Sequence, residues 1–223
     1  MTTSTGPIPH ALADSAAGLD ALLDAVGHLT GDELAGPSTL EGWTRGHVLS
    51  HVAGVGAALL GQARAAERGE VVPVYASQEA RDTGIEAGSG RSVAEHLAVL
   101  GALRDEMART WPEPGSPLWD APSGYRSGPL SGCLLGWWRE VRIHSVDALA
   151  GTSRQVGYET WDDALCAHLR EFLAVRLPDG VSVADVAGDP RDVTAWLAGR
   201  VPETPLRGDL PELGPWPSAL PAR

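Results

Sequence analysis

Glu140 and His144 stand four residues apart in WWREVRIHSVDAL (137–149), and His47 and His51 repeat that spacing in GWTRGHVLSHVAG (42–54). On a helix, residues i and i+4 share a face and lie about 6 Å apart along the axis. A carboxylate and an imidazole so placed can converge on one ion, each ligand atom roughly 2.0–2.2 Å from it. If the two helices are neighbours, an inward-facing His51 completes a set of two histidines and one glutamate. Three protein ligands leave the fourth position of Zn2+ open, as a catalytic metal requires. Zn2+, or another divalent metal, is the expected ion.

One i, i+4 polar pair alone is usually solvated or hydrogen-bonded locally. Here there are two, each set among apolar residues: Val48, Val52 and Val55 on one segment, Trp137, Val141 and Val146 on the other. Burying a carboxylate and imidazoles without partners is costly. A metal removes that cost, which favours it over a core hydrogen-bond network. His47 sits in the first turn of its segment and reads either as a group supporting the site or as an exposed side chain. His10, His28, His96 and His168 have no matching partner and read as surface or packing residues.

Other chemistries are narrowed by composition. All seventeen basic residues are Arg, so no side-chain amine is present for Schiff-base or Lys-base chemistry. The two cysteines, Cys133 and Cys166, lie far apart without metal-site spacing and read as small buried hydrophobes. Any thiol chemistry then draws its thiol from a cofactor. A net charge of −12 argues against nucleic acid, whose binding depends on neutralising phosphates. The chain has no apolar stretch of the roughly 20 residues that a membrane span needs. Met1 to Gly6 lacks a basic segment followed by an apolar one, so a cytoplasmic protein is expected.

The elements that must position these residues follow from periodicity. Leu12, Ala16, Leu19, Leu23, Val26 and Leu29 form a helical stripe. Thr44 can cap a second helix with Val48, Val52, Val55 and Leu59 on one face. Ser92 and Glu95 make a capping box for a third, which carries Leu97, Leu100, Leu103 and Met107. The fourth runs from about Leu130 to Leu149. Residues 31–43, 69–91 and 111–129 read as connections, the second long enough to suggest function.

Four long helices over residues 1–151 predict a helix bundle. Beyond Gly151 the texture is mixed. Residues 160–177 look helical, Val181, Val183 and Val186 suggest a strand, and Asp189 with Pro190 starts a short helix ending near Gly199. The fold class expected is therefore mainly α: a four-helix bundle over 1–151, then a small C-terminal α/β domain over 152–223. The proline-rich tail from Val201 is expected along the surface.

The segment 42–54 resembles the first ligand motif of the mycothiol-dependent maleylpyruvate isomerases, members of the DinB-like helical superfamily. Segment 137–149 resembles their second motif, and VPVYASQEARDTGIEAGSGR (72–91) is similar to the family's linker. GDPRDVTAWLAGRVPETPLRGDLPELGPWP (188–217) resembles the small C-terminal domain. The resemblance implies a DinB-like metal-binding bundle with His51, Glu140 and His144 as zinc ligands and mycothiol as cofactor. It implies a cis–trans isomerase working by thiolate addition, rotation and elimination on a small-molecule substrate. Arg200 falls where the family has an arginine important for activity and is the first candidate to bind substrate carboxylates; Arg81 is the second. The plainer role for Arg200 is a helix C-terminal residue favoured by the dipole. A mycothiol S-transferase and a non-catalytic metal-stabilised binding module are the alternatives, and a monomer or homodimer is expected.

Overall fold

The computed structural model describes residues 6–208 and 210–217. Met1 to Thr5, on which the expectation about a secretory signal partly rests, and residues 218–223 of the tail lie outside the described residues. Two compact units divide the chain between Gln155 and Val156.

Among its described residues the first unit holds six α-helices: α1 (Ile8–Gly27), α2 (Gly31–Ala35), α3 (Arg45–Glu67), α4 (Gln78–Ser89), α5 (Val93–Thr110) and α6 (Leu130–Leu149). Helix α1 packs on α6, α6 on α3, α3 on α5 and α5 back on α1, which closes a four-helix ring. Its interior is the apolar stripe of each member: Leu19, Leu22 and Val26; Val48, Val52 and Leu59; Leu100 and Leu103; Leu134, Trp137 and Val141. Caps fix where the helices begin. Thr44 accepts the His47 amide at the start of α3, and Ser92 accepts that of Glu95 at the start of α5, each in a reciprocal capping box. Close approach needs Gly56, where a Cβ would stand 2.6 Å from Leu103 and 3.0 Å from Trp137.

Part of the connection expected over 69–91 is helical. Ser77 accepts the Ala80 amide and caps α4, which packs on α3. Its buried residues are Ile85 and Gly88 alone, so the apolar period that marks the longer helices is missing.

The second unit contains α7 (Asp163–Leu173) and α8 (Pro190–Leu197), which pack on each other. Trp161, Leu165, Leu169, Leu173, Val193 and Leu197 form its core. The strand expected through Val181, Val183 and Val186 is not there. Val183–Asp185 is a 3-10 turn capped by Ser182, and the pairing nearby is one antiparallel bridge between Ala187 and Arg207. An alternating apolar pattern makes a strand only where a ladder partner exists, and local capping prevails here.

Candidate metal centre

Packing of α3 on α6 brings the two histidine-bearing faces together. Glu140 Oε2 lies 3.0 Å from His51 Nε2 and 3.1 Å from His144 Nε2. One donor atom from each of the three residues falls within 4.8 Å of the other two. The imidazoles meet edge to face, with ring centroids 4.7 Å apart. Trp43 places its ring against His51 at 5.6 Å and covers one side of the cluster.

A residue absent from the sequence reading orients the set. Asp147 is fully buried; one carboxylate oxygen lies 2.8 Å from His144 Nδ1 and the other accepts from Thr39 Oγ1 at 2.6 Å. A carboxylate only accepts, so Nδ1 of His144 carries a proton and Nε2 is turned toward Glu140. This carboxylate–histidine pairing is how proteins fix the tautomer of a metal-binding imidazole. A signal existed in the sequence, since Asp147 follows His144 by three residues on the same helix.

Electrostatics test the fit of a cation. Burial opposes charge on Glu140, yet hydrogen bonds from His144 and His51 hold its carboxyl well below the usual range. Burial also opposes charge on His144, but Asp147 and Glu140 overcome it and push the imidazole up to about 9. His51 is driven toward its neutral form, chiefly by burial. Two carboxylates around two imidazoles leave surplus negative charge, and a divalent ion satisfies it with a donor set typical of zinc. Ligand atoms at roughly 2.0–2.2 Å from a tetrahedral ion stand about 3.3–3.6 Å apart. The two Glu140–histidine spacings need to open by only a few tenths of an ångström.

His47 is not part of this set. Its Nδ1 lies 3.2 Å from the Thr44 amide in the capping box, and its Nε2 lies 3.2 Å from Glu86. His96 is buried elsewhere, against the start of α3 at Gly46. Both cysteines are buried, and burial pushes the Cys133 thiol up to about 11 and raises that of Cys166. Neither supplies a thiolate at neutral pH.

Arg81 of α4 approaches the cluster: its Nη2 is 3.3 Å from His51 Nδ1, while Nη1 pairs with Asp82 at 2.7 Å. A guanidinium only donates, so His51 accepts at Nδ1 and turns its Nε2 proton toward Glu140. Together with Tyr75, Arg81 and His51 line a cleft of about 310 Å³ bounded by α3, α4 and α5. Tyr75, pushed up to about 12 mainly by burial, keeps its proton and can donate.

Arg200 belongs to the second unit. It follows α8, where Gly199 at φ +74° lets the chain turn back and the Arg200 amide donates to Ala195 O at 2.8 Å. Its guanidinium Nη1 donates to Ala198 O at 2.6 Å. Among the described residues no helix is long and apolar enough to cross a membrane.

The family described as Mycothiol maleylpyruvate isomerase N-terminal domain matches residues 15–149, more than half of the chain. Two solved structures share the fold. A crystal structure of the mycothiol-dependent maleylpyruvate isomerase is 24% identical, with a TM-score of 0.80 over 94% of this chain and 97% of that one. A crystal structure of a histidine-to-alanine mutant of that enzyme is 23% identical, with the same score and coverage. No curated protein matches the sequence.

Proposed function

Since this chain belongs to the mycothiol maleylpyruvate isomerase family, we propose that it is a cytoplasmic cis–trans isomerase that uses mycothiol and a divalent metal, zinc first, on maleylpyruvate or a close relative. One observation carries the reading: His51, Glu140 and His144 converge from two helices within 4.8 Å in a half-buried, anionic setting. When bound, the metal acidifies a thiol, and the thiol adds reversibly to a cis double bond so that rotation and elimination give the trans product.

The side chains divide that work. Asp147 holds the proton of His144 on Nδ1 and leaves Nε2 for the ion. Trp43 and the packed faces of α3 and α6 limit water at the cluster. Negative charge grows on the substrate's enolate and carboxylates as the thiol adds. Arg81, beside the cluster, and Arg200 are proposed to bind those carboxylates, because a guanidinium matches a carboxylate with two parallel hydrogen bonds. Tyr75 offers a further donor from the cleft wall.

Metal-loaded protein incubated with mycothiol and maleylpyruvate, with thiol and product followed together, tests this directly. The expected result is fumarylpyruvate formation with no net loss of thiol. Stoichiometric loss of thiol would make the protein an S-transferase, and loss of neither reactant would make it a binding module. Either outcome overturns the isomerase reading.

A further inference from the structure

The cleft beside the metal centre has a second cationic group that the mechanism above does not use. Arg91, just before α5, lines it together with Ser50 of α3. Among the described residues no carboxylate is paired with Arg91. The acid that feels its charge, Glu95, is turned to the Ser92 amide and hydroxyl, at 2.8 and 2.7 Å. Ser50 is 4% exposed, and its Oγ is buried with no hydrogen-bond partner. A buried hydroxyl in that state is rare in a folded protein and asks for a ligand atom.

Gly88 keeps the two groups accessible to one another. A Cβ at that position would collide with Arg91 Nη1 and stand 2.6 Å from Ser50 Oγ. Glycine inside a helix weakens it relative to alanine, so the close packing of Arg91 and Ser50 on this bare stretch of backbone is gained against the preference of α4. Seven residues separate Arg81 from Gly88 on that helix, which is about 10 Å along the axis. The cleft therefore presents two guanidiniums, that of Arg81 beside His51 and that of Arg91 beside Gly88. About 310 Å³ lies at the small end of ligand sites.

We propose that Arg91 and Ser50, both packed against the bare backbone of Gly88, form an anion subsite that binds one carboxylate of a short dicarboxylate acceptor. The substrate class rests on the isomerase reading above; the subsite rests on the cleft. Arg91 supplies the charge and Ser50 a hydroxyl donor, and the other carboxylate points toward the metal end of the cleft. The subsite thereby selects dicarboxylates over monocarboxylates.

Succinate, which has no double bond to react, and its monomethyl ester are suitable probes for calorimetric titration of the metal-loaded protein. Succinate is expected to bind, and the monoester to bind about ten-fold more weakly or worse, the scale of one lost charge-assisted hydrogen bond. Arg91→Gln should lose succinate affinity by a similar factor with metal content and Tm retained. Gly88→Ala, which favours the helix, should do the same by displacing the Arg91 guanidinium and the Ser50 hydroxyl. Wild-type succinate affinity in Arg91→Gln overturns the subsite, and equal binding of acid and monoester overturns its selection of dicarboxylates. Absence of succinate binding to the wild type also overturns the subsite. Turnover of maleylpyruvate separates the two readings: turnover that ignores Arg91 ends the subsite and keeps the isomerase, whereas Arg91-dependent succinate binding without turnover does the reverse.

Discussion

His51, Glu140 and His144 have conflicting requirements that a cation reconciles, and two experiments at the residue scale follow. His51→Ala and His144→Ala should each lose most bound metal, because two remaining donors hold an ion weakly. His96→Ala should retain it, and elemental analysis of the three purified variants checks the contrast. Equal metal in all three rejects the ligand set. Asp147→Asn should weaken metal binding by about 10- to 100-fold, the range for groups that orient a ligand, since a neutral amide no longer anchors the His144 proton against Thr39 and Nδ1. Titration against a competing chelator reads that change, and unaltered affinity removes Asp147 from the site. The paired i, i+4 spacings made the histidines and Glu140 visible in the sequence. Asp147 and Arg91 were not visible as site groups, because their roles depend on Thr39 and on the Ser50–Gly88 contact, which only the packing of separate helices creates.

Among the elements, the four bundle helices were legible because each buries a full apolar stripe and two of them, α3 and α5, start in a capping box. Helix α4 was read as a connection because it buries two residues, one of them glycine; its position against α3 comes from tertiary packing, which periodicity does not report. The junction of α5 with the start of α3 leads to a pH dependence. His96 is 1% exposed, its Nε2 has no partner, and burial followed by the nearby Arg91 charge pulls it down to about 4. In the unfolded chain an imidazole titrates near 6.5. The unfolded state therefore binds the proton first, and stability falls as pH drops from about 6.5 toward 4, by at most about 1.4 kcal/mol per pH unit from this group. Below about 4 it contributes no further loss. Denaturant midpoints of wild type and His96→Leu should diverge in their pH dependence across that window. Parallel curves between pH 7 and 4.5 contradict a buried neutral His96.

At the scale of the whole molecule, the sequence distinguished a helical first part from a differently textured second part, and its misreading of Val181 to Val186 shows why the second was harder. Three valines at alternate or near-alternate positions resemble a strand, but the Ser182–Asp185 capping box and the lack of a ladder partner among the described residues leave a 3-10 turn. Arg200 poses the sharpest question about that second unit. Its amide and guanidinium both bond to the end of α8, at Ala195 O and Ala198 O, as the plain helix-terminal role requires. The proposed role asks more of it: a guanidinium for the acceptor's carboxylates as negative charge develops. Arg200→Ala distinguishes the two. A catalytic Arg200 predicts kcat and kcat/KM falling together by roughly 10²-fold, the scale for losing a group that stabilises a developing anion, with metal content and mycothiol binding retained. Arg200→Lys should recover little, since a point charge does not replace a planar fork. A helix-terminal Arg200 predicts instead a Tm lowered by a few degrees with turnover per folded molecule unchanged, consistent with about 0.3–1 kcal/mol at a helix end. Steady-state kinetics and a melting curve on the same preparations decide the matter. Wild-type turnover in Arg200→Ala ends the catalytic role and leaves the metal centre to stand on the first unit alone.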